Sequence, residues 1–301
     1  MKWVRGLSMR TAPSVGVLAL LSTADGRSTG PSASLVTWPP VEQHDLANPR
    51  ISPSDTLQFE PAGMTVLAEN SFDCVRECGA GWYFSQDYAD GAVALRDSSA
   101  PRSAPGIVQQ NFTPLLNGGS SPASIGKNIA GKRTLYAAIW MKMSDNYMGH
   151  PGSVNKIIHF YTNGGNRAIF TIRGSGSGTL VPSFGVQGLS APYRWREPNG
   201  YSHYEPVANL EPNLTSCIVR RGAWIRYEMI LTNNAPGRDD GRVELWMDGR
   251  KCLDHQGIPF VGRGQSNTWD QVNWSPTYGG GAATIRSSFF TQVDHLYVSG
   301  K

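Results

Sequence analysis

Three stretches of the chain carry groups that together could move a proton beside a carboxylate. Over residues 154–161, alternation sets Asn155, His159 and Tyr161 against Val154, Ile158 and Phe160. Over 167–173 it sets Arg167, Thr171 and Arg173 against Ala168, Phe170 and Ile172. Over 134–143 it sets Tyr136, Trp140 and Lys142 against Leu135, Ala137, Ile139, Met141 and Met143. An imidazole titrates near neutrality and can take a proton, and a phenol can supply one. Guanidinium groups suit a planar anion. Indoles such as Trp140 and Trp246 offer a flat face and a polar edge. Each of these groups taken alone is also what a solvated face of an antiparallel sheet carries. His159 is the most pointed of them, a titratable group set among aromatics.

Such side chains need long strands to hold them, and the clearest strands lie between Arg220 and Cys252. Ile225, Tyr227, Met229 and Leu231 alternate with Trp224, Arg226, Glu228 and Ile230; Val243, Leu245 and Met247 alternate with Arg242, Glu244, Trp246 and Asp248. Period two with one apolar face marks a half-buried antiparallel strand. The nine residues from Asn233 to Gly241 between them are dense in turn formers. One phase of alternation holds across five strands, which predicts a shared core for their apolar sides together with Leu135, Ile139, Met141, Ile158, Phe160, Phe170 and Ile172. Shorter strand signals recur at 65–69, 82–86, 92–96, 107–112, 180–187 and 288–299, with Pro182 predicting an edge or a bulge. Residues 115–132, 188–214 and 258–281 read as loops. No segment has a sustained helical period, and no alternation of strands with helices is visible. The expected fold is all-β: a two-sheet antiparallel jelly-roll sandwich.

Composition agrees with that class. Of 301 residues, 34 are Gly and 20 Pro, while only 17% are charged, which suits a turn-rich globular chain. The formal net charge of +4 is too small to argue for nucleic acid. Four cysteines predict the pairs Cys74–Cys78 and Cys217–Cys252, the second from its position at the two ends of the long hairpin; a zinc site would need histidines at ligand spacing that the CxxxC lacks. Lys2, Arg5 and Arg10 precede an apolar run at 15–21 and small residues at 22–24, the pattern of a secretory signal over 1–24. Residues 25–54 form a Ser/Pro-rich lead-in, and 55–301 the jelly-roll domain. Secretion is expected, and no stretch is long enough to span a bilayer. Asn111, Asn213 and Asn273 begin glycosylation sequons.

Five segments in order, LYAAIWMK at 135–142, NKIIH at 155–159, WIRYE at 224–228, DGRVELWMDG at 240–249 and VDHLYVS at 293–299, resemble the concanavalin A-like lectin/glucanase superfamily. Within it they look most like the jelly-roll polysaccharide lyases. The resemblance covers about residues 55–300 and implies a sandwich whose concave sheet holds a glycan. The Glu-x-Asp-x-x-Glu run of the retaining glucanases is missing, which argues against a hydrolase of that type. The Gln-x-His of the alginate lyases meets Ile157-Ile158-His159 here, and their Arg-x-Glu-x-Arg meets only Arg226-Tyr227-Glu228.

The resemblance implies β-elimination on an acidic, uronate-containing polysaccharide. That reaction needs a carboxylate neutraliser, a base for the C5 proton and an acid for the leaving oxygen. The expected catalytic set is His159, Tyr161 or Tyr136, and Arg173. The expected substrate-binding set is Trp140, Lys142, Asn155, Arg167, Thr171 and Trp246. No cofactor is expected, although Asp239-Asp240 could take calcium as some members of the superfamily do. The expected partner is a polysaccharide, with no nucleic acid and a monomeric chain. The competing reading is a non-catalytic, lectin-like or adhesive jelly roll, which needs only aromatics and polar groups in a groove; a structural surface protein is a third.

Overall fold

The alternating strands pair into two antiparallel sheets. The computed structural model describes residues 57–301 apart from 77, 78, 80, 192, 197–201, 206–207 and 213–215. The signal, the lead-in, Cys78 and Asn213 lie outside the described residues. In the first sheet the order is β15 (Arg250–Ile258), β14 (Gly241–Met247), β13 (Trp224–Thr232), β6 (Thr134–Met143), β17 (Phe289–Gly300), β4 (Gly106–Phe112) and β3 (Ala92–Arg96). An eighth strand, β1 (Thr65–Asn70), pairs with the second half of β17. The second sheet runs β12 (Ala208–Leu210), β9 (Val181–Gln187), β8 (Arg167–Arg173), β7 (Val154–Thr162), β16 (Trp269–Tyr278), β5 (Ala123–Lys132) and β2 (Trp82–Gln86). A short ribbon, β10 (Tyr193–Arg196) with β11 (Ser202–Glu205), stands apart. No helix among the described residues is long and apolar enough to cross a membrane.

The apolar sides of both sheets meet in one core. Leu135, Ile139 and Met141 of β6, Ile225, Tyr227, Met229 and Leu231 of β13, and Val243 and Leu245 of β14 are buried against Ile158, Phe160, Phe170 and Ile172 of the second sheet. The Phe170 and Tyr227 rings join the two sheets with centroids 4.9 Å apart. Met247 packs at the margin.

Three stretches expected as loops hold strands, 188–214 among them with β10, β11 and β12. β5 lies within 115–132, and β16, within 258–281, is an inner strand flanked by β7 and β5. Gly126, Gly131 and four polar residues mask the period of β5, and Pro276 interrupts that of β16. Pro276 falls where the β16–β7 register shifts between Trp274 and Thr277, so its missing N–H breaks no regular ladder. Pro182 behaves similarly: β12 flanks β9 only from Phe184 to Val186.

Cys217 and Cys252 are bonded, both fully buried, with Cα atoms 5.8 Å apart. The route differs from a single hairpin. Asp248 and Gly249, with φ of 49° and 82°, reverse the chain after β14, as in a type I′ turn. Cys252 therefore arrives on β15, a third strand of the same meander. Cys74 is also disulfide-bonded.

Candidate functional site

The outer face of the second sheet collects one set of the polar side chains. Strand register decides which. Tyr161 pairs with Arg167, His159 with Ile169, Lys156 with Thr171 and Val154 with Arg173. Across β16 the partners are Gln271 opposite Tyr161, Asn273 opposite His159 and Thr277 opposite Lys156. A bulge between Lys156 and Ile158 inserts one residue into β7. It exchanges the faces of the residues before it. Lys156, not Asn155, shares the face of His159.

Asn155 is turned the other way and fully buried. It accepts from the His150 N–H at 2.9 Å and donates to the Ile172 carbonyl at 2.9 Å, closing the end of the β7–β8 pair. It is not placed to hold a substrate carboxylate. Simple alternation put it with His159; the extra residue of the bulge is the physical reason it is not there.

His159 sits at the middle of this face, 7% exposed. Its ring stacks on Tyr161 with centroids 5.8 Å apart and planes at 13°. Nδ1 and the Tyr161 hydroxyl share a hydrogen bond of 3.3 Å, while Nε2 has no protein partner. Burial, with Lys156 and Arg167 adding repulsion, pushes its pKa down to about 4. The ring is neutral at pH 7. Burial and then Arg167 also lower the Lys156 ammonium from its ordinary value. Arg167 donates to the Gln187 side chain, and Arg173 pairs with Glu211. The Thr171 hydroxyl and the Asn273 carbonyl oxygen are buried without a protein partner. Lys156, Arg167 and Arg173 face this side of β7 and β8, and of the three Arg173 is met by a carboxylate, that of Glu211. Such a field draws anions.

Tyr83 of β2 closes one flank. Its phenol lies over Gly126, where an added Cβ would come within 2.2 Å of the hydroxyl oxygen and would displace the ring. Gln271 donates to that hydroxyl at 3.2 Å and to Asn128 at 3.2 Å. Lys156, Gln271, Asn273 and Tyr83 were not among the residues expected at the site. Lys156 had no signal in the sequence, because the bulge is set by the partner strand; for Gln271 and Asn273 the signal would have been recognition of β16 as a strand.

The remaining expected residues lie on the first sheet, on its outer face and so across the sandwich from His159. Tyr136 is fully buried and donates to Glu228 Oε2 at 2.5 Å; burial and then that carboxylate hold its phenol far above its ordinary range. Trp140 is buried under Arg102 and edge-on to His295. Lys142 pairs with Asp97 at 2.8 Å. Trp246 is buried under Phe59, the rings stacked at 4.5 Å. None of the four meets His159, because β6 and β14 belong to a different sheet from β7 and β8. Asp240 caps the turn before β14 by accepting from the Ala235 N–H at 2.6 Å. The sequon at Asn111 is occupied too: the side chain donates to Asp90 O at 2.8 Å from a buried position.

No protein-family model matches the sequence, and no curated protein matches it. Solved structures do match. The endo-β-1,4-glucuronan lyase from the fungus Trichoderma reesei aligns over 79% of this chain and 96% of its own, at 14% identity and a TM-score of 0.51. The marine PL-14 alginate lyase from Aplysia kurodai aligns over 78% and 98%, at 10% identity and a TM-score of 0.51. The alginate lyase vAL-1 from Chlorella virus aligns over 79% and 100%, at 11% identity and a TM-score of 0.54. The fold is that of the jelly-roll polysaccharide lyases. At these identities the likeness concerns the fold, and the chemistry rests on the residues of this chain.

Proposed function

We propose that the chain is a polysaccharide lyase that cleaves a uronate-containing glycan by β-elimination on the outer face of the second sheet. The observation that carries this reading is His159: buried, neutral, bonded through one nitrogen to Tyr161, with the other unpartnered and the cations Lys156 and Arg167 close by. Arg167 and Lys156 offset the charge of the uronate carboxylate, which makes the C5 proton more acidic. Asn273 and Thr171 supply further polar contacts. In the tautomer whose Nδ1–H donates to Tyr161, Nε2 holds the lone pair that takes the C5 proton. Electrons flow into a C4=C5 double bond, the C4–O bond breaks, and the Tyr161 hydroxyl gives its proton to the departing oxygen. The resulting imidazolium then returns the Nδ1 proton to the phenolate along the same hydrogen bond.

The bonded cysteines Cys217 and Cys252 are compatible with an extracellular location for such an enzyme. The test is incubation of the full chain with alginate, glucuronan, heparin and pectin, following the ultraviolet absorbance of the unsaturated uronate. At least one polymer should yield product, and His159→Ala should abolish it while binding persists. Binding without product by the wild-type chain would replace the lyase with a glycan-binding module.

A further inference from the structure

We infer that the opposite side of the sandwich carries a second sugar site, built for a neutral pyranose of a glycan and separate from the His159 face. A depression of about 250 Å³ opens on the outer face of the first sheet, lined by Pro101, Trp140, Trp224, Arg226 and Asp248. Its size, near the lower end for small-molecule sites, suits a single ring. Trp140 and Arg226 are directly paired across β6 and β13, and Trp224 stands two residues before Arg226 on the same face. Asp248 comes in from the β14–β15 turn.

The walls are held rigidly. The Arg102 guanidinium lies 5.4 Å from the Trp140 ring centroid. Lys142 Nζ sits 4.8 Å from that of Trp224, whose Nε1–H donates to Asp97 at 3.3 Å. Trp140, buried, forms the floor, and the part-exposed Trp224, fixed in this way, presents apolar surface without further loss of side-chain entropy. The rim supplies those. The Arg226 guanidinium is part-exposed, and the Asp248 carboxylate accepts from the Arg226 N–H at 2.9 Å while keeping lone pairs for vicinal hydroxyls.

Charge selects the ligand class. Arg226 pairs with Glu228 at 3.0 Å, Lys142 with Asp97 at 2.8 Å and Arg220 with Asp248 at 3.3 Å. These three cations are each matched by a carboxylate, so none of them is left unpaired to draw a uronate, whereas Lys156 and Arg167 beside His159 attract one. A chain carrying both sites would hold a neutral polysaccharide with one side and present its catalytic side to an acidic one.

The experiment is a tryptophan-fluorescence titration of the full chain with cello-, xylo- and manno-oligosaccharides, and in parallel with oligouronates. At least one neutral series should saturate. Trp224→Ala should weaken it about tenfold, the scale of one lost aromatic contact. Asp248→Asn should weaken it several-fold, since Asn tolerates the positive φ and keeps the acceptor for Arg226 while losing the charge. His159→Ala should leave neutral binding unchanged, which separates this site from the lyase reading. Absence of saturation by every neutral series overturns the proposal. So does binding that survives Trp224→Ala in a variant with unaltered thermal unfolding. If that variant does not fold, unchanged affinity in Asp248→Asn overturns it.

Discussion

The two outer faces of the sandwich are both polar strips on long antiparallel strands, and each holds a tyrosine, a histidine and several cations. They differ in what covers them. On the first sheet, residues 57–64 lie across the strands. Phe59 stacks on Trp246 and its N–H donates to Glu228 at 3.1 Å, while Glu60 accepts from Tyr297 at 2.9 Å. The loop after β3 adds Ser103, which donates to Asp294 at 2.6 Å. On that face carboxylates answer the donors: Tyr136 has Glu228, His295 has Glu69 at 3.0 Å and Lys142 has Asp97. On the second sheet the central groups face outward with cations in excess and buried polar atoms unmatched. The paired donors of the covered face contribute stability; on the open face His159 Nε2, the Thr171 hydroxyl and the Asn273 carbonyl oxygen are left for a ligand.

The same substitution on each face should therefore give opposite results. Tyr161→Phe removes the proposed proton donor and should lower kcat by about 10²–10⁴-fold with little change in thermal unfolding. Tyr136→Phe removes the hydroxyl that Glu228 uses and should destabilise the fold by about 1–3 kcal/mol with kcat unchanged. Arg226 Nε remains 3.0 Å from the other Glu228 oxygen, as an ion contact rather than a directed hydrogen bond. Full activity in Tyr161→Phe would remove that residue from the mechanism.

The contrast also predicts a pH dependence of stability. His159 titrates at about 4 in the fold against 6.5 for a free imidazole. Between these values the unfolded chain binds a proton that the folded chain does not, so stability from this group is complete above pH 6.5, falls as pH drops and is exhausted below pH 4. The loss amounts to about 3 kcal/mol over that window. His159→Gln should flatten this part of the curve in denaturant melts at a series of pH values. His255, also lowered by burial, contributes a slope of the same sign, and so His159→Gln should be compared with His255→Gln. An unchanged slope in His159→Gln would mean that the ring is more solvated than its surroundings indicate.

Much of this fold was legible because its core follows one alternation phase. Ile225, Tyr227, Met229 and Leu231 face inward with Phe170 and Ile172 as period two requires. The grouping of the candidate site's side chains was legible in part. His159, Tyr161, Arg167, Thr171 and Arg173 share a face because β7 and β8 form a sequential pair. The bulge that exchanged Asn155 for Lys156 left no local mark, since a one-residue insertion is defined by the partner strand and not by composition. Sheet membership was hidden for the same reason: nothing in Tyr136 or Trp140 states that β6 pairs with β17, a strand at the far end of the chain. Asn273 was read only as the sequon Asn273-Trp274-Ser275 and not as a strand residue, because Pro276 and polar residues hide β16.

The smallest expected effect tests the cover itself. Phe59 is held to the first sheet by a stacked contact with Trp246, centroids 4.5 Å apart and planes at 11°. Its backbone N–H bonds Glu228 whatever the side chain. Phe59→Ala should thus remove the ring contact alone and cost about 1 kcal/mol, the scale of an aromatic pair beyond its area burial. Lys251 would still lie 5.0 Å from the Trp246 ring centroid on β15, limiting the exposure of the indole. The expected readout is a small fall in thermal stability, a red shift in tryptophan emission and unaltered elimination. A loss of several kcal/mol would show that residues 57–64 detach as a unit, and that the covered face depends on one ring to stay covered. A change in elimination rate would couple the two faces through the core and end the separation argued for them here.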